Sequence, residues 1–464
     1  MSLIDSFIGL VAPPEKNGQA RVEKRSASAF MPSETAVGPA AVILIVEFAG
    51  GGGKEISNRL SDIFGRQSGI DVYRRSQVLK LSNRGSLVEQ FTAAAEEGRR
   101  WIGEVNADLL IWGELSPVGD AVAIRFMPAV ADPDGSVGAF GLGDSLDLPM
   151  PMAPDMEQAV VAVALAAAAR ARPGARERVI ELMRAALKPV EGMMESSGGV
   201  AGAGRAAFLN CLGNALATDY RLGGAPSRLD QALACYRAAV ASVPPATSPV
   251  GWALSQNHLA DALLAIDDRD KSAEALQEAA DTYRMVVDSL GRAQYPMDWA
   301  LAHIRLGQVL YRLGVREGRA SHFRTSAASY EQALTVYTRE AMPGRWAELM
   351  NNYGVLLIAI GEQVTGTVAL EQAVGVFRKA LEVRKRPAAP LLWAQTANNL
   401  GAAAFALAKR NGDAALMREA CDCFAGSIEV YRDRNQAAKV HVIEKNLQRV
   451  QQLLQNRGTA KKSR

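Results

Sequence analysis

A Pro-x-x-Trp element recurs four times at an unbroken interval of 47 residues, at Pro249/Trp252, Pro296/Trp299, Pro343/Trp346 and Pro390/Trp393. Two other positions keep step with it. One holds the rings Tyr236, Tyr283, Tyr330, Phe377 and Phe424; the other holds Gly213, Ala260, Gly307, Gly354 and Gly401. A fixed interval of this length marks a stacked repeat array, in which each unit buries its apolar face only against its neighbours. A chain built this way acts by presenting a long surface.

Each unit reads as two helices. Proline suits the first turn of helix A, where no N–H is required. The tryptophan lies one turn further in, where burial against a neighbour is expected. Seven residues later, two helical turns on and on the same face, comes a pair such as Leu400-Gly401, whose small member lets helix B approach closely. Gly314 and Gly361 read as C-cap glycines of helix A. Helix B carries Ala373, Phe377, Ala380 and Leu381 on one side.

The Ala-x3-Phe-x2-Ala spacing of Ala373, Phe377 and Ala380, repeated as Ala232, Tyr236 and Ala239, resembles the helix-B signature of the tetratricopeptide family. Leu212-Gly213 and Leu400-Gly401 match its helix-A Leu-Gly pair. The interval of 47 residues exceeds the family's usual length of about 34, and the Trp stands seven residues before the Leu instead of three. In this the array is similar to the longer repeats of kinesin-light-chain-like bacterial proteins. The resemblance implies an all-α, tetratricopeptide-like superhelical solenoid whose concave groove takes a protein segment.

Ahead of the array the periodicity changes. Residues 41–48 form a continuous β-branched run suited to a strand buried on both faces. A Gly-rich loop at 50–53 leads to a helix over 54–66. A strand follows at 69–73, a long amphipathic helix at 86–104, strands at 107–115 and 121–126 joined by a turn at 117–120, and a last strand near 145–148. This β-α-β-α-β-β order is that of a small α/β domain. Its first strand, its second strand near Val72 and the segment 107–114 (Ala-Asp-Leu-Leu-Ile-Trp-Gly-Glu) resemble the amino-terminal domain of the TolB translocation protein. They also resemble modules that precede tetratricopeptide arrays in bacterial adenylate-cyclase-like and regulatory proteins. The expected organisation is a flexible segment over 1–40, with an apolar start at 2–11, and the α/β domain over 41–155. A degenerate first helical repeat over 156–204 follows, ending in a Gly-rich gap at 196–204. Five repeats over 205–439 and a capping helix with a basic tail over 440–464 complete the chain.

Composition narrows the function. At 464 residues the chain is too long for one core, and a net charge of +3 with acids and bases interleaved gives no basic stripe for nucleic acid. No stretch reaches the roughly 18 apolar residues of a membrane span. The start lacks the basic n-region and cleavage site of a secretory signal. Cys211, Cys235, Cys421 and Cys423 read as buried reduced thiols of a cytoplasmic protein. His258, His303, His322 and His441 lack metal spacing and read as structural. No Gly-x-Ser-x-Gly, Cys/His signature or carboxylate cluster is present, so neither a catalytic residue, a metal nor a cofactor is expected.

Two sets of residues remain as candidate sites. Asn210, Asn257, Asn351 and Asn398 recur in helix A, with Ile304 breaking the series, and Asn214, Asp261, Gln308 and Arg312 extend it. Asn is a poor helix former, and its amide can donate to and accept from a peptide backbone at once. The series therefore reads as a ladder gripping an extended peptide, or else as a brace on the neighbouring repeat. The second set is Gly51, Gly52, Gly53 and Lys54. The loop invites a phosphate-loop reading, yet two fixed positions of that motif fail, at Phe48 and Glu55. A weak anion site at a helix N-terminus and a plain flexible loop both remain open. The sequence thus points to a non-enzymatic scaffold for a protein or peptide partner, with a nucleotide- or anion-responsive regulator as the alternative.

Overall fold

The structure, a computed structural model, describes residues 38–81, 87–130, 136–141, 143–193 and 202–462. The apolar start at 2–11, nearly all of the expected N-terminal segment and the Gly-rich gap as far as 201 lie outside the described residues. The chain forms two compact units that part between Leu290 and Gly291.

The first unit opens with β1 (Ala41–Glu47), α1 (Gly53–Gly65), β2 (Ile70–Val78), α2 (Leu87–Val105), β3 (Leu109–Leu115), β4 (Ala121–Pro128) and β5 (Ser145–Pro149). The strands form one sheet in the order β2-β1-β3-β4-β5. β1 runs parallel to both β2 and β3, whereas β4 and β5 are antiparallel. The apolar run of β1 is explained by its interior place, with helices covering it, and it is buried from Ala41 to Val46. β2 extends to Val78, beyond the expected 69–73. It is an edge strand largely open to solvent, so its polar second half carries no hydrophobic alternation. Two residues of the 107–114 segment have clear physical roles. A Cβ at Gly113 would lie 2.0 Å from the Ala123 carbonyl oxygen, so only glycine lets β3 and β4 meet there. Asp108 accepts from the Val42 N–H at 2.7 Å and from Arg172 Nε at 2.6 Å, tying two strands to the helical part of the unit.

Helices α3 (Pro154–Ala168), α4 (Arg176–Leu187), α5 (Gly202–Arg221), α6 (Ser227–Ser242), α7 (Pro249–Asp270) and α8 (Ala273–Ser289) complete the unit. α3 packs on α1, β3 and β4 and also on α4 and α5. Its alanine-rich composition follows, since a helix enclosed on several sides keeps close neighbours only with small side chains. Arg59 fastens α1 to it through Glu157 at 3.0 Å.

The second unit consists of α9 (Pro296–Glu317), α10 (Ala320–Leu334), α11 (Pro343–Gln363), α12 (Val368–Val383), α13 (Pro390–Asn411), α14 (Ala414–Asp433) and α15 (Ala437–Lys462). Both units therefore contribute hairpins of one 47-residue repeat, and the chain is a small mixed α/β layer followed by a tetratricopeptide-like helical-repeat solenoid. The repeat prolines occupy the first turn of α7, α9, α11 and α13, as the sequence indicates. Gly213, Gly307, Gly354 and Gly401 lie against Tyr236, Tyr330, Phe377 and Phe424, where a Cβ would come within 2.5–2.9 Å of the ring. Helix packing at such closeness is what the small residue is for.

Three expectations need correction. Gly314 and Gly361 do not cap helices: they lie inside α9 and α11, where a Cβ would come within 2.7 Å of the Phe323 ring and 2.6 Å of Leu370. The left-handed caps of α9 and α13 are Gly318 and Gly412. The tryptophans are not uniformly buried. Trp252 is, whereas Trp299, Trp346 and Trp393 are half-buried. The guanidinium groups of Arg292, Arg339 and Arg386 cover these three rings at 5.5, 5.6 and 5.1 Å, so each gains a cation–π partner instead of full enclosure. Finally, the basic tail at 458–464 is helical as far as Lys462.

Candidate functional site

The asparagine series faces inward more than outward. Asn210 donates through Nδ2 to Ser255 Oγ at 2.9 Å, linking α5 to α7. Asn351 Oδ1 accepts from Thr396 Oγ1 and from Asn399 Nδ2, both at 3.1 Å, linking α11 to α13. Asn398 donates to Asn399 Oδ1 at 3.4 Å. Asn210, Asn351 and Asn398 are 2–3% exposed. Asn210 and Asn351 brace successive A helices, the alternative to a ladder that the series allowed, whereas Asn398 bonds within its own helix. The brace is a pairing at an offset of 45 residues: Asn stands opposite Ser or Thr at 210/255 and 351/396. At the same offset Ile304 and Leu349 belong to one apolar cluster, which accounts for the break in the series.

The second polar row has its own partner. Tyr236 donates its hydroxyl to Asn214 Oδ1 at 2.7 Å, and Tyr283 donates to Asp261 Oδ1 at 3.1 Å. Where the ring is Phe377 or Phe424, the residue 22 places earlier is Val355 or Ala402. A buried hydroxyl needs an acceptor, and a phenyl ring does not. Asn214 is fully buried and lies in the interior beside Tyr236. Asn257, Asp261, Gln308 and Arg312 are half-buried and reach the surface of α7 and α9. Gln308 Oε1 accepts from Arg305 at 3.4 Å.

A further cluster, not visible in the sequence, binds the sheet domain to the first repeats. Asp144, just before β5, meets His258 Nε2 of α7 at 2.8 Å, and the imidazole stacks on Tyr236 with centroids 5.4 Å apart. Asp144 also accepts from the Gly141 N–H at 2.7 Å. Cys211 Sγ donates to the Ser145 carbonyl at 3.3 Å, and Thr218 Oγ1 to the Gly138 carbonyl at 3.2 Å. Gly138 has a positive φ of 74° and lies so close to α5 that a Cβ would come within 2.7 Å of the Asn214 carbonyl oxygen. Burial lowers the His258 pKa, but the charge and hydrogen bond of Asp144, with Asp261 behind, outweigh it and the net shift is upward. Asp144 and His258 are 114 residues apart, and no local pattern joins them.

The Gly-rich loop is explained mainly by packing. Gly50 and Gly52 have φ of 96° and 86°, and a Cβ at Gly53 would fall 1.9 Å from the Phe48 carbonyl oxygen. Ser57 Oγ accepts from the Phe48 N–H at 3.2 Å and stands within 3.1 Å of the Val46 carbonyl and 2.9 Å of the Gly53 carbonyl, fixing the turn. Gly51, Gly52 and Lys54 are exposed, and the N-terminus of α1 has no side-chain cap.

Burial pushes the Cys235 and Cys423 thiols up to about 12 and raises Cys211 and Cys421 as well, so all four are held protonated. No helix among the described residues is long and apolar enough to cross a membrane.

No family model matches the sequence, and no curated protein does. Solved structures similar to it include BtubC (BKLC) from P. vanneervenii, at 16% identity over 49% of this chain and 90% of that one, with a TM-score of 0.30. The S. pombe nuclear import adaptor Nro1 is 13% identical over 63% and 99% of the two chains, with a TM-score of 0.35. The TPR2AB domain of yeast Sti1, solved in a pHSP90 complex, is 14% identical over 60% and 93%, with a TM-score of 0.23. At such scores the likeness does not extend to function.

Proposed function

We propose that this chain is a non-enzymatic interaction scaffold whose A helices take up a segment of a partner protein. The observation that carries this reading is the polar set left partly open on otherwise apolar A helices. In the first unit it comprises Asn257 and Asp261 on α7; in the second, taken by itself, Gln308 and Arg312 on α9. The Oδ1 of Asn257 is buried without a hydrogen-bond partner, an acceptor suited to a peptide N–H. The α/β domain, docked on α5 and α7 through Asp144 and His258, would sense or report occupancy. Domain limits of 41–155, 156–204, 205–439 and 440–464 belong to this proposal, as do a cytoplasmic setting and kinship of the two parts with TolB-type and kinesin-light-chain-type modules. The test is capture of partner peptides from a displayed library by the full chain, compared with Asn257→Ala and, separately, with Gln308→Ala. Loss of captured sequences in either variant at unchanged folding supports the reading; identical capture by both refutes it.

The uncapped α1 N-terminus favours a second reading, an anion or nucleotide at Gly51, Gly52, Gly53 and Lys54. Glu55 in the first turn opposes it. Titration calorimetry with a nucleoside triphosphate separates the two: heat abolished by Lys54→Ala would move the function to this loop.

A further inference from the structure

One repeat position departs from its register. The position at the end of helix B that recurs every 47 residues holds Val243, Leu290, Tyr337, Arg384 and Tyr431, and every one of them is at most 7% exposed. Four are apolar or aromatic and one is a guanidinium. Arg384 is 5% exposed. One of its terminal nitrogens donates to Thr396 Oγ1 at 2.9 Å and to Gln395 Oε1 at 3.3 Å. Its Nε is buried with no hydrogen-bond partner. Among the described residues no carboxylate lies in ion-pair range of Arg384; Glu348, which acts on it through space, is bonded to Arg345 at 2.8 Å.

The surroundings are neutral dipoles. Thr396 donates onward to Asn351 Oδ1, where Asn399 also donates. Burial without a counter-charge lowers the Arg384 pKa to about 10, the direction expected when the charged form is poorly solvated. Isolated charge is among the costliest things to bury, and the register offers tyrosine at this position on either side. Gln395, which bonds to the guanidinium, and Glu348, which acts on it through space, are both half-buried. The long bond to Gln395 is the one an incoming group displaces most readily.

We infer that Arg384, between α11 and α13, is the floor of an oxyanion site that receives a carboxylate of a bound peptide, with Nε and a terminal N–H donating side by side to its two oxygens. This deepens the scaffold reading above and rests on it for the identity of the ligand as a peptide. Glu348 is engaged by Arg345 at 2.8 Å, which offsets part of its repulsion of an incoming anion.

The test uses the full chain, its Arg384→Tyr and Arg384→Met variants, and fluorescein-labelled decapeptides of alternating Gly and Glu. One peptide has a free C-terminus and one is amidated; a third, amidated, carries Gln for Glu. Wild type is expected to bind an acidic peptide at least tenfold more tightly than the Gln peptide, and both variants to lose that tenfold. Both variants should melt at or above the wild-type temperature, since a buried unpaired charge has been removed. Equal binding of the two acidic peptides assigns the carboxylate to Glu side chains; binding of the free-terminus form alone assigns it to the chain end. Variants that melt below wild type, or keep acidic-peptide binding within twofold, overturn the site. If all three peptides bind wild type and variants alike, the oxyanion site fails and the scaffold stands. If acetate raises the melting temperature only when Arg384 is present and no peptide binds, the scaffold reading fails and the anion site stands.

Discussion

The two units solve the same packing problem with opposite interiors. In the first, the helix-B rings are Tyr236 and Tyr283, each with an acceptor 22 residues earlier, and a histidine is closed off by a carboxylate from the sheet domain. In the second, Tyr330 keeps a side-chain partner in Asn352, Phe377 and Phe424 have Val355 and Ala402 at the position 22 residues earlier, and the interior holds a guanidinium surrounded by neutral groups. The first interior gives its ring hydroxyls and His258 acceptors of their own, while Asn210 Oδ1, Asn214 Nδ2 and Asn257 Oδ1 stay without a hydrogen-bond partner. The second buries one guanidinium among neutral groups, with no carboxylate in ion-pair range among the described residues. Polarity inside a repeat is thus no sign of function by itself.

The comparison breaks most readily at the rings. Tyr236→Ala and Phe377→Ala should each cost about 3–5 kcal/mol, as for any buried aromatic, with Tyr236 the larger because Asn214 is left orphaned. Denaturant titration of each variant measures this; a Phe377 loss exceeding that of Tyr236 would contradict the distinction drawn between the two interiors. Next comes the sheet–repeat link. Asp144→Ala should cost about 2–3 kcal/mol near pH 6 by leaving His258 buried without its acceptor. The His258 pKa is raised on folding, so its contribution is complete below the unfolded value of about 6.5 and fades as pH rises through the folded value. Melting between pH 6 and pH 9 should show that decline in wild type and not in His258→Gln.

Smaller effects sharpen the contrast further. Phe377→Tyr places a hydroxyl opposite Val355 and should cost about 1–2 kcal/mol, recovered in Phe377→Tyr/Val355→Asn, which copies the Tyr236–Asn214 pair. Failure of that rescue would show that the partner rule does not transfer between units. Asn210→Ile and Ser255→Leu should each cost about 1–2 kcal/mol, while the double variant, which copies Ile304 and Leu349, should lose less than about 1 kcal/mol. Strict additivity in that cycle would remove the brace.

Much of the fold was legible because it is written in periods. The 47-residue interval gives the hairpins, and the β-branched run gives an interior strand. What was misread follows from reading one helix at a time. Asn210 and Asn351 look like a surface ladder until the partner 45 residues on is considered, and Asn214 until its ring 22 residues on is. Gly314 and Gly361 look like caps because glycine signals a turn, yet here it makes room for Phe323 and Leu370. Arg384 stands out only when five repeats are aligned on one another. The Asp144–His258 contact had no sequence signal, since a loop of one domain meets a helix of another.

The braces at an offset of 45 residues also define what can be exchanged. A hairpin moved alone would carry Asn without its Ser or Thr, or Ile without its Leu, because the partner belongs to the following A helix. The smallest cassette that can be duplicated, deleted or grafted without stranding a polar group is therefore a hairpin together with the helix after it. Lineages of this array should lengthen and shorten by overlapping segments whose boundaries fall within helices, not at the loops.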